Sequence, residues 1–212
     1  DETNPAKEDG KEEFDGKIYR KANWLKAGFM NADKNLTVSE NYAKEIASSK
    51  AKGVELDDVI REFGMEGIVN GMDPTEWNPS SDKFIDVPYD KTTVVEGKAA
   101  AKQALQAEVG LPLDADAPVF GYIGRLEEQK GCDIMMAAIP KLLKQVPNAQ
   151  VVILGTGKKS MEKALEKLDE AEPMCAGVVK FSAPLAHFIT AGADFLMVPS
   201  RFEPCGLIQL HA

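Results

Sequence analysis

Two cations, Arg125 and Lys130, share the loop Gly124-Arg125-Leu126-Glu127-Glu128-Gln129-Lys130-Gly131, which follows an apolar run. A guanidinium offers a planar fork of donors and an ammonium a point charge on a flexible stem, so together they suit a diphosphate. Gly131 ends the loop, and a helix starting there would add free backbone N–H groups to an anion site. On an isolated surface the same cations would pair with Glu127 and Glu128, where such pairs contribute little.

A second cluster is Ser200-Arg201-Phe202-Glu203-Pro204-Cys205-Gly206-Leu207. Glu203 can serve as a charge complement to a helix N-terminus. It can also accept from a sugar hydroxyl and stabilise positive charge developing at an anomeric carbon. Gly206 and Leu207 would then present backbone N–H groups to the ligand. Cys205 has no histidine close in sequence and reads as a small packing residue. Gly155-Thr156-Gly157-Lys158 resembles part of a phosphate loop, but the full spacing is absent, and a tight turn before a helix explains it equally well. Lys158 and Lys159 read as a solvated helix start. His187, among Ala and Leu, reads as a core or structurally bonded residue.

These loops need a frame, and the pattern around them supplies one. Val119–Ile123, Gln150–Leu154, Val178–Phe181 and Phe195–Val198 are short apolar runs. Between them, helical spacing predicts helices over Val94–Val109, Cys132–Val146 (with Pro140 expected to bend it), a stretch around Met161–Leu168, and Leu185–Ala191. Strands of continuous apolar character alternating with helices mean a parallel α/β sheet covered on both faces. Ligands of such sheets bind beyond the carboxyl ends of the strands. Both clusters therefore fall on one edge. Upstream, Asn35–Val38 and Gly67–Val69 read as short strands, Ser39 as the N-cap of a helix from Glu40, and Asp1–Arg20 as loop with little helix. The Pro- and Asp-rich stretch from Asp73 to Pro88 reads as a connection between domains.

Bulk properties narrow the classes. The 212 residues are 44% hydrophobic and 28% charged, as in a globular protein with a buried core. A net charge of −9 argues against a nucleic-acid or anionic-membrane surface, though not against a phosphate held by two local cations. Three cysteines and two histidines, without ligand spacing, point away from a disulfide framework and from structural zinc. The ends read as those of an incomplete piece, beginning at Asp1 and stopping inside a new helix.

The Gly124–Gly131 and Ser200–Leu207 motifs together resemble the bacterial glycogen synthase and plant starch synthase family. Leu36-Thr37-Val38-Ser39, Ile68-Val69-Asn70-Gly71-Met72-Asp73 and Ala191-Gly192-Ala193-Asp194 follow in the family's order. Leu105–Pro112, Leu154–Lys159 and Ala183–His187 are most similar to its granule-bound branch. The resemblance implies a GT-B glycosyltransferase with two Rossmann-like parallel-sheet domains, both incomplete here. It divides the chain into 1–70 (acceptor-side domain), 71–88 (linker) and 89–212 (nucleotide-sugar-binding domain). It implies retaining transfer of glucose from ADP-glucose to the non-reducing end of an α-1,4-glucan, without metal or other cofactor. The setting would be the starch granule of a chloroplast or amyloplast, with neither nucleic acid nor membrane as partner. Arg125 and Lys130 would neutralise the leaving diphosphate and Glu203 contact the transferred glucose. Cys205, Gly206 and Leu207 would line the donor site, and Phe181 the adenine. A soluble starch synthase or glycogen synthase is the alternative, and a non-catalytic glucan-binding relative a more distant one. The family's Lys-Thr-Gly-Gly and Thr-Gly-Gly segments are absent, so these residues alone are expected to bind donor poorly and not to turn over. His211 stands where related transferases carry a second Glu, so no second catalytic carboxylate is assigned.

Overall fold

The computed structural model describes residues 11–14, 17–20 and 22–212, the first two stretches by backbone alone. The chain forms two compact units, Asp1–Asn70 and Gly71–Ala212. In the first, β1 (Lys11–Phe14) and β2 (Lys17–Arg20) pair antiparallel. That corrects the expectation of loop with little helix there, while Asp1–Gly10 lies outside the described residues. Ladder hydrogen bonds come from the backbone, and a short charged strand carries little pattern to announce them. Helix α1 (Trp24–Asn31) is capped by Asn23, which accepts from the Lys26 amide at 3.0 Å. Strand β3 (Leu36–Thr37) pairs parallel with β4 (Glu66–Gly67), and the Ile68 amide extends the ladder to Thr37 O at 2.9 Å. Ser39 caps α2 (Glu40–Ser48) by accepting from the Tyr42 amide, as its position predicts. Leu56, Val59 and Ile60, around α3 (Asp57–Phe63), bury against Phe29, Ile46 and Met65.

The second unit is built on four parallel strands in the order β7-β6-β5-β8. They are β5 (Val119–Ile123), β6 (Gln150–Leu154), β7 (Cys175–Val178) and β8 (Phe195–Leu196). Every residue of β6 is buried, and its side chains alternate between two cores. Val151 and Ile153 join Met135 and Ile139 of α5 (Cys132–Gln145) and Leu165 of α6 (Lys159–Ala171). Val152 and Leu154 join Leu105 of α4 (Val94–Val109) and Leu185 and Ile189 of α7 (Ala183–Gly192). A strand buried on both faces must be apolar throughout, which is why the alternation of a half-exposed strand is missing from its sequence. Helix α5 continues through Pro140.

In this sheet two strands differ from the sequence reading. Strand β7 runs over Cys175–Val178, not Val178–Phe181, because the small residues fit the space. A Cβ at Gly177 would lie 2.8 Å from Leu165 Cδ1, so only glycine leaves room for α6 there. Phe181 therefore stands beyond the strand end, not on it. Strand β8 is shorter than Phe195–Val198, although the Met197 amide still donates to Gly121 O at 2.8 Å.

The stretch from Asp73 to Pro88 lies within the second unit. Ile85 and the adjoining Tyr89 bury against Ala101 and Ala191, and His187 Nδ1 lies 2.6 Å from Asp82 Oδ2. Asp194, which belongs to one of the resemblance motifs, holds structure together. Its Oδ2 accepts from the Val119 amide at 2.8 Å and forms an ion pair with Lys102 Nζ, also at 2.8 Å.

A buried amide pair fastens β6 to α4. Gln106 Nε2 donates to Gln150 Oε1 at 2.9 Å and to Asp114 O at 2.8 Å, and Gln150 Nε2 donates to Pro112 O at 2.7 Å. Both side chains are fully buried, so losing one partner strands the others without water. Gln106→Leu is expected to destabilise the protein by about 2–4 kcal/mol, read as a lowered urea midpoint, since each orphaned group costs about 1–3 kcal/mol. A midpoint equal to that of the parent would show the network to be dispensable.

Candidate functional site

The carboxyl ends of β5 and β6 carry two loops that run on together past the sheet. Leu126 N donates to Thr156 O at 2.9 Å and Lys158 N to Leu126 O at 3.0 Å. Gly155 and Gly157 serve this approach. A Cβ on Gly155 would fall 2.0 Å from Gly124 O, and one on Gly157 2.3 Å from Leu126 O. The partial phosphate-loop pattern is thus accounted for by loop packing. Lys158 and Lys159 pair with Glu128 and Glu162, at 2.5 and 2.6 Å.

Arg125 leans outward, its side chain 63% exposed, and donates to Glu127 Oε1 at 3.1 Å and Gln129 Oε1 at 3.2 Å. Its carbonyl accepts from Tyr122 Oη at 3.0 Å, which pins the loop to β5. Burial is the main cause that holds the Tyr122 hydroxyl well above the ordinary phenol range, and the adjoining Cys132 adds to it. Lys130 does not pair with Glu128. Its Nζ donates to Glu203 Oε1 at 2.6 Å, across 73 residues of sequence, with both side chains largely buried (22% and 14% exposed). Ser200 Oγ donates to the same oxygen at 2.6 Å. An ammonium has three N–H donors, so two remain on Lys130 for a ligand, and Glu203 Oε2 remains to accept.

Gly131 makes the meeting of these loops possible. Its φ of +68° is left-handed, and a Cβ would fall 2.1 Å from Pro199 O. The 199–203 segment lies against the 128–133 turn through more bonds. Arg201 N donates to Gln129 O and Gln129 Nε2 to Phe202 O, each at 2.9 Å. The Arg201 guanidinium forks onto Asp133, Nη1 to Oδ1 at 2.8 Å and Nη2 to Oδ2 at 2.7 Å, and Nη1 also donates to Glu128 O. Cys205 and Gly206 form the turn into the short helix α8 (Leu207–His211), with Gly206 left-handed at φ +71°.

Beside Arg125 lies a cavity of about 460 Å³ within the second unit, with largely apolar walls. Ile123, Leu154, Ala183 and Ala186 line its floor, with Thr156 and Ser182 as polar points. Of the residues chosen from sequence, Arg125 and Phe181 line it. Lys130, Glu203, Cys205, Gly206 and Leu207 lie outside its lining, with Lys130 and Glu203 in contact with each other. Phe181 is 92% exposed, a large aromatic free to cover a ligand at the rim. Trp77 was missed. It stacks on His187 at 4.0 Å between ring centroids and on His211 at 4.3 Å, forming one wall. Burial, then the neighbouring His187, lowers the His211 imidazole from its ordinary value. The signal available was a tryptophan, one of two in the chain, inside an otherwise polar, proline-rich stretch. Among the described residues no cluster of His, Cys, Asp and Glu could hold a metal ion, and no helix is long and apolar enough to cross a membrane.

Arg125, Lys130 and Glu203 thus all stand on loops that follow strands of one parallel sheet, with the apolar cavity beside Arg125. Residues 117–212 match the family model described as glycosyl transferases group 1, and residues 4–62 that of the starch synthase catalytic domain. The chain is 61% identical over 194 residues to granule-bound starch synthase 1, chloroplastic/amyloplastic, of Manihot esculenta, and 59% to that of Arabidopsis thaliana. These alignments cover 91% of this chain and 32% of each relative, so the chain spans about a third of their length. The catalytic domain of starch synthase IV from Arabidopsis thaliana, solved with ADP and acarbose, superposes with a TM-score of 0.81 at 29% identity. That match covers 88% of this chain and 38% of the other. The chain belongs to the starch synthase family of glycosyltransferases, with the GT-B fold.

The Arg201 fork holds the Asp133 carboxyl down at about 2, against an ordinary 3.8. A depressed carboxyl favours the native state fully above its unfolded value, and that contribution drains away as pH falls from about 4 towards 2. Carbon-detected NMR titration should find Asp133 near pH 2 and, in Arg201→Leu, back near its ordinary value. An unchanged titration would remove the fork as the cause.

Proposed function

We propose that this chain carries the donor-gripping half of a starch synthase, which transfers glucose from ADP-glucose to the non-reducing end of an α-1,4-glucan with retention. The observation that carries the reading is the 2.6 Å contact of Lys130, on the loop of Arg125, with Glu203. The starch synthase IV catalytic domain was solved bound to ADP and acarbose, which supports a nucleotide and a glucan-like ligand for this fold. In this reading Arg125 and the two free N–H groups of Lys130 face the leaving diphosphate. Fixed cations do there what a divalent metal does elsewhere, offsetting charge as the bond to the anomeric carbon breaks. Glu203 accepts from a hydroxyl of the transferred glucose through its second oxygen, and its charge favours the oxocarbenium-like state. Phe181 covers the adenine over the apolar cavity, and Cys205, Gly206 and Leu207 shape the turn behind the sugar. The names of relatives 57–61% identical favour the granule-bound, plastid form over a soluble starch synthase or glycogen synthase.

Lys130→Ala in the full-length protein should lower glucose transfer from ADP-glucose by about 10²–10³-fold, the range for removing one preorganised group that stabilises transition-state charge. Activity at the parent level would refute the role given to Lys130. Fractionation of starch-bearing tissue should recover the protein with the granules. Recovery wholly in the soluble fraction would favour the alternative.

A further inference from the structure

Lys130 and Glu203 belong to different loops, and little of the sheet holds the second one. Strand β8 has two residues, and the last sheet-type bond on that side is Met197 N to Gly121 O. From there to α8 the chain is irregular, yet Glu203 must stay at hydrogen-bond distance from an ammonium on a separate segment. What fixes it is a set of contacts converging on the 128–133 turn, and the Arg201 side chain supplies three of them.

Asp133 is a firm anchor. It sits in the first turn of α5, whose Cys132, Met135, Ile139 and Leu143 are buried in the core, so its backbone is held against the sheet. The carboxylate also complements the positive end of that helix. A bidentate guanidinium–carboxylate pair fixes angle as well as distance, which an ammonium on one oxygen cannot do. The third bond, to Glu128 O, ties the same guanidinium to the turn that ends in Lys130. Arg201 thus spans the helix that anchors the site, the turn that carries the cation and the loop that carries the carboxylate.

We propose that Arg201, held by Asp133, is a positioning residue that sets the separation of Lys130 and Glu203. This rests on the reading of those two residues as the charge-stabilising pair of glucosyl transfer. Arg201 itself touches neither. Both side chains of the latch are about two-fifths exposed, so its contribution to global stability is small and its effect is on geometry. A misplacement of about 1 Å in such a site lowers turnover by up to about 100-fold.

The test uses the full-length protein with Arg201→Lys, Asp133→Asn, the double variant, and each of them combined with Lys130→Ala. Arg201→Lys keeps the charge and loses the fork, and Asp133→Asn keeps the shape and loses the anion. Each is expected to lower kcat by about 10- to 100-fold, with the KM for ADP-glucose changing by less than about threefold. The double variant should be no worse than either single one. In the Lys130→Ala background the same changes should lose less than about twofold further, because the pair they position is already broken. Melting temperatures within a few degrees of the parent would separate this from general unfolding. Parent-like kcat in Arg201→Lys and Asp133→Asn, or losses that add fully to that of Lys130→Ala, would overturn the proposal. If either variant does not fold, the other decides. A parent protein that transfers no glucose would instead overturn the functional reading.

Discussion

The adjacency of β5 and β8 is the constraint from which the site follows. Phe120 stands opposite Phe195 and Gly121 opposite Leu196, and in a parallel pair both chains leave the sheet at the same edge. Residues separated by 73 positions are thereby delivered to one point, and the loops need to travel only a few residues to meet. Gly131 is the condition for that meeting. Any side chain there would collide with Pro199 O, and the turn itself needs a left-handed residue.

A second layer of constraint is polar. A sheet with all of β6 buried gains most of its stability from apolar contact, which has no direction. Direction comes from polar groups that must find partners: the buried Gln106 with Gln150 and Asp82 with His187, and the partly exposed Asp194 with Val119 and Lys102. The first and the last tie a helix to one place on the sheet or its edge. The Asp82–His187 contact holds the 73–89 stretch against α7, and in doing so carries Trp77 to the wall of the cavity. A segment rich in Pro and Asp thus belongs to the site.

Much of the second unit was legible because its elements are long and strongly patterned. Helix α4 and strands β5 and β6 fall where helical spacing and apolar runs place them. Strand β7 was displaced because Cys175 and Gly177 fit the space under α6 and Ala176 packs on the other face, and such small residues carry no apolar run to read. The hairpin β1–β2 was unreadable for a related reason, since its order comes from backbone pairing. Trp77 was missed because its segment was judged by its prolines and charges.

The sequence by itself determined that a cationic loop and a carboxylate loop both follow strands of one parallel sheet, and its motifs determined the family. Types, spacing and periodicity are local properties, and they survive reading one residue at a time. Which charge meets which was decided only in three dimensions. From sequence Lys130 could pair with Glu128, two positions away, but the fold gives it Glu203. The physical reason is that strand order brings two distant loops together, and one left-handed glycine and one forked arginine then fix how closely they approach.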